Sequence, residues 1–186
     1  RPVAIWRWPA AIDVIATTVP EALALPDKPS IAVLPFDNMS GDPEQEYFSD
    51  GITEDIITAL SRSNWLFVIA RNSTFSFKGR ATDIREIARS LGVRYVLEGS
   101  VRKSGNRLRI TGQLIDATNG THLWADKFDG SLTDVFALQD QVTENVISAI
   151  EPKLRKAEME RSKRKRPESL RAYDFYLRAL PHLYAF

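Results

Sequence analysis

Residues 93–128, VRYVLEGSVRKSGNRLRITGQLIDATNGTHLWADKF, constrain the fold more than any other stretch. They read as three consecutive antiparallel strands joined by tight turns. Ser104-Gly105-Asn106-Arg107 puts Gly first in a two-residue loop, the type II′ pattern, and Thr118-Asn119-Gly120-Thr121 puts Asn-Gly there, the type I′ pattern. Two-residue loops dictate register, and register dictates which side chains share a face. On this reading Leu97, Leu114 and Ala125 form a row on one face, with Gly99 opposite Gly112. Val96, Ile115 and Trp124 form a row on the other, beside a polar row of Glu98, Gln113 and Asp126. Val93, Tyr95, Leu97 and Val101 alternate onto the first face and make it the core face. The row with Trp124 makes the second face half apolar, so it too should be covered.

The segments before the meander alternate strand and helix. Ile31-Ala32-Val33-Leu34-Pro35-Phe36 is a short apolar run of the kind that is buried on both faces. A turn-rich loop over 37–43 leads to a helix capped by Ser49 or Asp50, with Glu54 and Asp55 in its first turn and an apolar stripe of Ile52, Ile56, Ile57 and Leu60. Leu66-Phe67-Val68-Ile69-Ala70 is a second strand. A loop over 71–80 follows. Thr82 or Asp83 then caps a helix carrying Ile84, Ile87, Ala88 and Leu91, which Gly92 ends. After the meander, Ser131 or Thr133 starts a helix with Phe136, Leu138, Val142, Val146, Ile150 and Leu154 toward the core, and Pro152 should bend or restart it. The order β-α-β-α-β-β-β-α predicts an α/β protein with one mixed five-stranded sheet and helices packed on it.

The remaining segments flank this domain. Residues 1–29 form a Pro-rich linker, in which Trp6, Trp8, Arg1 and Arg7 either mark the edge of a membrane span lying upstream or pack on the domain. The domain is expected over 30–154. Residues 155–167 are a basic linker, and 168–186 an amphipathic helix with Leu170, Tyr173, Tyr176, Leu177 and Leu180 on its apolar side. The chain opens on Arg1 and stops inside a helical pattern, which reads as a piece of a longer protein.

Composition narrows the function classes. A net charge of +1 does not suggest a nucleic-acid partner. With no Cys and only His122 and His182, neither a thiolate site nor a histidine metal site is expected, and no cofactor is implied. No apolar run reaches the length of a membrane span.

Four motifs in order carry a family resemblance: IAVLPFDNMSGDPEQEYFSDGITEDI, VIARNSTFSFKG, LGVRYVLEGSVRKSG and LIDATNGTHLWADKFD. Over residues 28–154 the chain resembles the TolB-amino-terminal-like domain of bacterial membrane-linked adenylate/guanylate cyclases. Similar domains occur in membrane-anchored winged-helix regulators. The resemblance implies a three-layer α/β/α fold with sheet order 2-1-3-4-5 and the fourth strand antiparallel. It implies a parent protein in the bacterial inner membrane, with a separate cyclase domain and this domain on the periplasmic side. The tail from Glu168 through AYDFYLRAL resembles the entry into the first tetratricopeptide helix of such proteins. No segment matches the catalytic domain, with its metal-binding aspartates and transition-state Arg/Asn pair, so no catalytic residue is assigned.

In a 2-1-3 sheet the crevice at the carboxyl ends of the first and third strands is the usual ligand site. Asp37, Asn38, Ser49, Asp50, Gly51, Arg71 and Arg102 are the residues placed there, with Arg71 and the Ser49–Gly51 amides suited to a small anion. The alternative is that Asp37, Asn38, Ser40 and Gly41 merely supply turns and caps. The D-N-x-S-G-D spacing lacks the full calcium-loop pattern. Glu98 and Asp126 flanking Gln113 form a polar row without a nucleophile, and Arg102 opposite Arg109 needs an acid beside it. Gly99 and Gly112 are expected to admit a close-packed side chain or helix rather than a ligand. The faces expected to meet partners are Val96, Ile115 and Trp124 on the sheet and Tyr173, Tyr176, Leu177 and Leu180 on the last helix, the latter building a homodimer; the alternative is that this helix folds back on its own domain or stays disordered beyond Pro167.

The leading reading is a non-catalytic sensory or protein-interaction domain that couples an unknown ligand or partner to cyclase output. The other readings are a small hydrolytic or nucleotide-binding domain acting at the crevice, and a structural dimerisation spacer. The lack of a Gly-rich phosphate loop and the scarcity of His and Cys weigh against an enzyme.

Overall fold

The computed structural model describes Leu23 and residues 25–183. The arm with Trp6 and Trp8 lies outside the described residues. β1 (Ser30–Val33), β2 (Asp37–Asn38), β3 (Phe67–Val68), β4 (Tyr95–Ser104), β5 (Arg107–Asp116) and β6 (Thr121–Ser131) form one mixed sheet of order β3-β1-β4-β5-β6, with β2 also paired to β4. β3, β1 and β2 run parallel to their partners, while β5 is antiparallel to both β4 and β6.

β1 and β2 are one extended segment broken at Pro35. Leu34 N–H donates to Leu97 O at 2.8 Å and Met39 N–H to Val101 O at 2.8 Å, so the ladder resumes beyond the break. Pro35 has no N–H, and the Phe36 N–H turns away to the Thr53 hydroxyl at 3.0 Å. The Phe36 ring then lies over Gly99, where an added Cβ would stand 2.2 Å from it. Any larger residue at 99 would displace the ring.

The β4–β5 hairpin has the expected register: Leu97 faces Leu114, Gly99 faces Gly112, and Ser104 faces Arg107. Gly105 alone in that loop has positive φ, +59°, as a type II′ turn requires. The β5–β6 register differs from the sequence reading. Asp116 pairs with Thr121, so the loop holds Ala117, Thr118, Asn119 and Gly120 instead of two residues. The Asp116 carboxylate accepts from the Thr118 N–H and hydroxyl, and its carbonyl accepts from Gly120 N–H at 2.8 Å. These bonds stabilise the longer turn over the Asn-Gly alternative. A bulge then leaves Leu123 between the pairs Ile115–His122 and Leu114–Trp124. Trp124 therefore shares the Leu114 face. Ala125 faces Gln113 on the opposite side, and Asp126 leaves the polar row of Glu98 and Gln113.

Two helices cover the Leu97–Leu114 face. α1 (Glu44–Ser61) buries Phe48, Ile52, Ile56 and Leu60, and α4 (Val135–Arg164) buries Leu138, Val142, Val146, Ile150 and Leu154. α1 starts earlier than expected because Asp42-Pro43-Glu44 is itself a helix start. Pro43 presets φ at −59°, and Asp42 accepts from the Glu44 N–H at 3.0 Å. Phe136 is exposed: α4 is capped by Asp134, which accepts from Ala137 N–H, instead of by Ser131 or Thr133, and its inward stripe begins at Leu138. The helix runs through Pro152 to Arg164. Residues 155–164, read as a linker, are its last turns.

The opposite face is covered at its lower end by α3 (Ile84–Leu91), capped by Asp83 and ended by Gly92 at φ 65°. Ile87 and Ala88 there meet Ala32, Leu34 and Val96. The segment read as a loop over 71–80 contains the short helix α2 (Arg71–Phe75). After a 3₁₀ turn at Pro167–Ser169, α5 (Ala172–Leu183) folds back along α4, burying Leu177 and Leu180 against the same chain. The premise that this stripe lacks a partner within the chain is therefore corrected.

Candidate functional site

Two arrangements of polar side chains stand out, one at each end of the domain. The first is a cavity of about 630 Å³ on the sheet face that α3 leaves uncovered. Its floor is the alternating row Glu98, Ser100 and Arg102 of β4 with Thr111 and Gln113 of β5. Leu34, Ile84 and Ile87 form an apolar wall, and residues 77–82, with Arg80 at their exposed tip, form the rim.

The cavity's charges are of both signs. Burial pushes the Glu98 carboxyl above the ordinary glutamate range, His122 draws it back down, and Asp37 raises it further. Lys78 is engaged elsewhere. Burial alone would lower its ammonium, but bonds to Asp50 and Glu46, both 2.5 Å, raise it. The like-charged pair Arg102 and Arg109 is relieved by Asp129, which faces Arg109 across the sheet and accepts two bonds from it at 2.7 and 2.9 Å. Arg102 and Arg80 have no ion pair among the described residues.

Of the residues expected in the crevice, Asp37 and Arg102 line this cavity. The others do not. Asn38 builds its own turn, accepting from Ser40 N–H at 3.1 Å and donating to Asp42 O at 2.8 Å. Asp42 is committed to Lys103 at 2.7 Å. Ser49, Asp50 and Gly51 sit within α1 rather than at its start, so their amides are committed to the helix and offer an anion nothing. The Ser49 hydroxyl donates to Gln45 O, Asp50 holds Lys78, and Gly51 lies against the Gln139 amide. Arg71 pairs with Glu54 at 3.3 Å and stacks on Phe75 with its guanidinium carbon 3.8 Å from the ring centre. The sheet surface expected to meet partners is also corrected. Val96 and Ile115 are buried, and Trp124 packs on the opposite face, its ring within 3.1 Å of where a Gly112 Cβ would stand. On α5, Leu177 and Leu180 are buried, while Tyr173 and Tyr176 pair at 5.9 Å, with Tyr176 exposed.

The second arrangement was not foreseen. Glu158, fully buried on α4, accepts from Arg94 at 2.8 Å, from the Tyr95 hydroxyl at 2.7 Å, and from Arg161 at 2.6 and 3.1 Å. Burial opposes its charge, yet the Arg161 bonds, the Arg94 charge and the Tyr95 hydroxyl outweigh it and hold the carboxyl below the ordinary range. Burial, and then Glu158, push the Tyr95 phenol upward, so it remains a donor. The network continues into α5. Asp174 accepts from Lys165 at 2.7 Å and from Arg171 N–H at 3.0 Å, Ser162 donates to Asp174 O at 3.0 Å, and Arg178 donates to Ser162 O and Lys165 O at 2.7 and 2.9 Å. One signal for it was present in the sequence: Glu158 and Ser162 continue the four-residue spacing of Val142, Val146, Ile150 and Leu154.

Comparison with known proteins places these features in context. The chain is 54% identical over 185 residues to a protein of Rhizobium meliloti (strain 1021) named "Putative adenylate cyclase 3", covering 96% of this chain but 31% of that protein. Among solved structures, it is similar to TolB from Acinetobacter baumannii (TM-score 0.48, 18% identity, 69% of this chain and 30% of that one). It is also similar to the LpoB C-terminal domain from Salmonella enterica (TM-score 0.45, 18% identity, 59% of this chain and 85% of that one). The family described as the second domain of HilA/YgeH-like transcriptional regulators matches residues 27–145, well over half of the chain, and the chain belongs to that family.

Proposed function

We propose that this chain is a non-catalytic sensory or interaction domain that transmits binding on its α/β body to a linked output domain. The observation that carries the proposal is the path of α4. Its first half is rooted on the sheet by Leu138 through Leu154, and its last turns are tied by Glu158 and Ser162 to both β4 and α5. A change at the sheet thus reaches α5 through one continuous helix. A family described from transcriptional regulators, together with a relative named as a cyclase, supports a module that serves more than one output.

In this proposal the parent is a membrane-linked adenylate or guanylate cyclase of the bacterial inner membrane. The domain is periplasmic, has the TolB-amino-terminal type of three-layer architecture, and is followed by tetratricopeptide repeats. No helix among the described residues is long and apolar enough to cross a membrane, so the link is assigned to other parts of the parent. The outer side of α5, with exposed Phe175, Tyr176 and Leu183, is the surface assigned to further chain or to a second copy.

The test is cyclic-nucleotide output of a parent protein carrying Glu158→Gln. Output altered several-fold, with the isolated catalytic domain unaffected and this chain alone inactive on ATP and GTP, is the expected result. Unchanged output counts against coupling, and turnover by this chain alone counts against a non-catalytic role.

A further inference from the structure

We infer that the cavity on the uncovered sheet face binds a small amphoteric solute, one carrying both an ammonium and a carboxylate: a free amino acid or a short peptide with free termini. The inference rests on the sensory reading above and names the ligand chemistry it lacks.

The cavity holds unmatched charge of both signs. At about 630 Å³ the cavity falls within the roughly 300–1,000 Å³ range of small-molecule sites, and its mix of an apolar wall with a few converging polar groups is theirs too. Glu98 is half buried, and Asp37, also in the cavity, adds negative field to it instead of neutralising it. Neither Glu98 nor Asp37, both lining the cavity, forms an ion pair among the described residues, so the arginines do not serve as their partners. This end of the cavity therefore has a deficit of positive charge that a ligand ammonium fills.

The other end has the opposite deficit. Arg102 lines both this cavity and a second one of about 440 Å³ beyond it. Of the cations around it, Lys78 is taken by Glu46 and Asp50, Lys103 by Asp42 and Arg109 by Asp129, and Arg107 lines only the second cavity, which leaves Arg102 and the rim residue Arg80 to receive a carboxylate in the first. Arginine suits that role because its planar guanidinium matches a carboxylate with two parallel bonds. Ser100 and Thr111 between the two ends, with Gln113 beside Glu98, provide donors and acceptors for the polar centre of such a solute, and Ile84 and Ile87 face its side chain. A simple anion would satisfy only the arginine end while adding repulsion from Glu98 and Asp37. A simple amine would do the reverse.

Calorimetric titration of the chain at neutral pH with the set of standard L-amino acids and with dialanine tests the assignment. Propionate, ethylamine and phosphate are the single-charge controls. The expected result is binding of at least one amphoteric probe at least ten-fold tighter than any control, with dialanine against free alanine telling peptide from amino acid. Glu98→Gln is expected to weaken that probe at least ten-fold and to bring its affinity to that of propionate. Arg102→Ala combined with Arg80→Ala should bring it to that of ethylamine. Thermal unfolding of each variant checks that the fold is kept. Absence of binding by every amphoteric probe at 10 mM overturns the inference, as does phosphate binding that Glu98→Gln leaves unchanged or strengthens. Either failure leaves the coupling proposal intact, because the latter is judged by the effect of Glu158 on output.

Discussion

The two halves of α4 present one face by two different means. From Leu138 to Leu154 the positions at four-residue spacing are aliphatic and held by burial, with Gln139 and Thr143 buried beside them. At the same four-residue spacing, Glu158 and Ser162 are just as fully buried, yet they are held by directed bonds to Arg94, Tyr95 and α5. Apolar contacts tolerate a small slide of one element on another, because dispersion has little direction. A buried carboxylate does not, because each lost partner leaves a desolvated charge. The first half therefore stabilises the body, and the second half fixes where α5 sits.

Deleting a charge should break this contrast most severely. Glu158→Ala strands Arg94 in a buried site, leaves the Tyr95 hydroxyl without its acceptor, and should cost about 3–5 kcal/mol in urea unfolding. Ile150→Ala, in the first half, removes buried aliphatic carbon and should cost about 2–5 kcal/mol. Its loss should be shared by α1 and the sheet, whereas the loss from Glu158→Ala should centre on α5.

Acid sharpens the contrast further. Glu158 has its folded value below the ordinary 4.5, so its contribution is fully present above that pH and is lost as pH falls through the lower folded value. Asp174 is lowered in the same way: burial opposes its charge, but the bonds from Lys165 and Arg171 N–H prevail. The groups facing this pair are Arg94, Tyr95, Arg161, Lys165 and the Arg171 amide, and none of them changes charge in that range. Stability measured from pH 6 down to pH 3 should therefore fall more steeply in the wild type than in Glu158→Gln, which lacks the Glu158 part. The smallest effect is expected at the exposed pair Lys163–Glu160 on the same turns of α4, where Lys163→Ala should leave the unfolding midpoint unchanged.

What the sequence disclosed follows the range of the interactions involved. The β4–β5 register was legible because Gly105 settles the turn locally. The β5–β6 register was one residue off because Asp116 makes a wider turn than Asn119-Gly120 suggests, and nothing in the strand pattern announces the bulge at Leu123. The apolar half of α4 was legible from its spacing, but the charged half was not. A glutamate at an inward position reads as solvated until Arg94, 64 residues away in the chain, is known to meet it. The cavity was half legible: Glu98 and Arg102 share a strand face by alternation, but Arg80 reaches the same space only through a loop whose path the sequence does not give.

Amide hydrogen exchange in the wild type and in Glu158→Gln shows whether the buried carboxylate of α4 and the bonds around it hold α5 in place. Protection over Ala172–Leu183 should fall at least ten-fold in the variant while protection in β4 and α1 stays within a factor of about three. Unchanged protection of α5, or an equal loss across the whole domain, would contradict this role of Glu158.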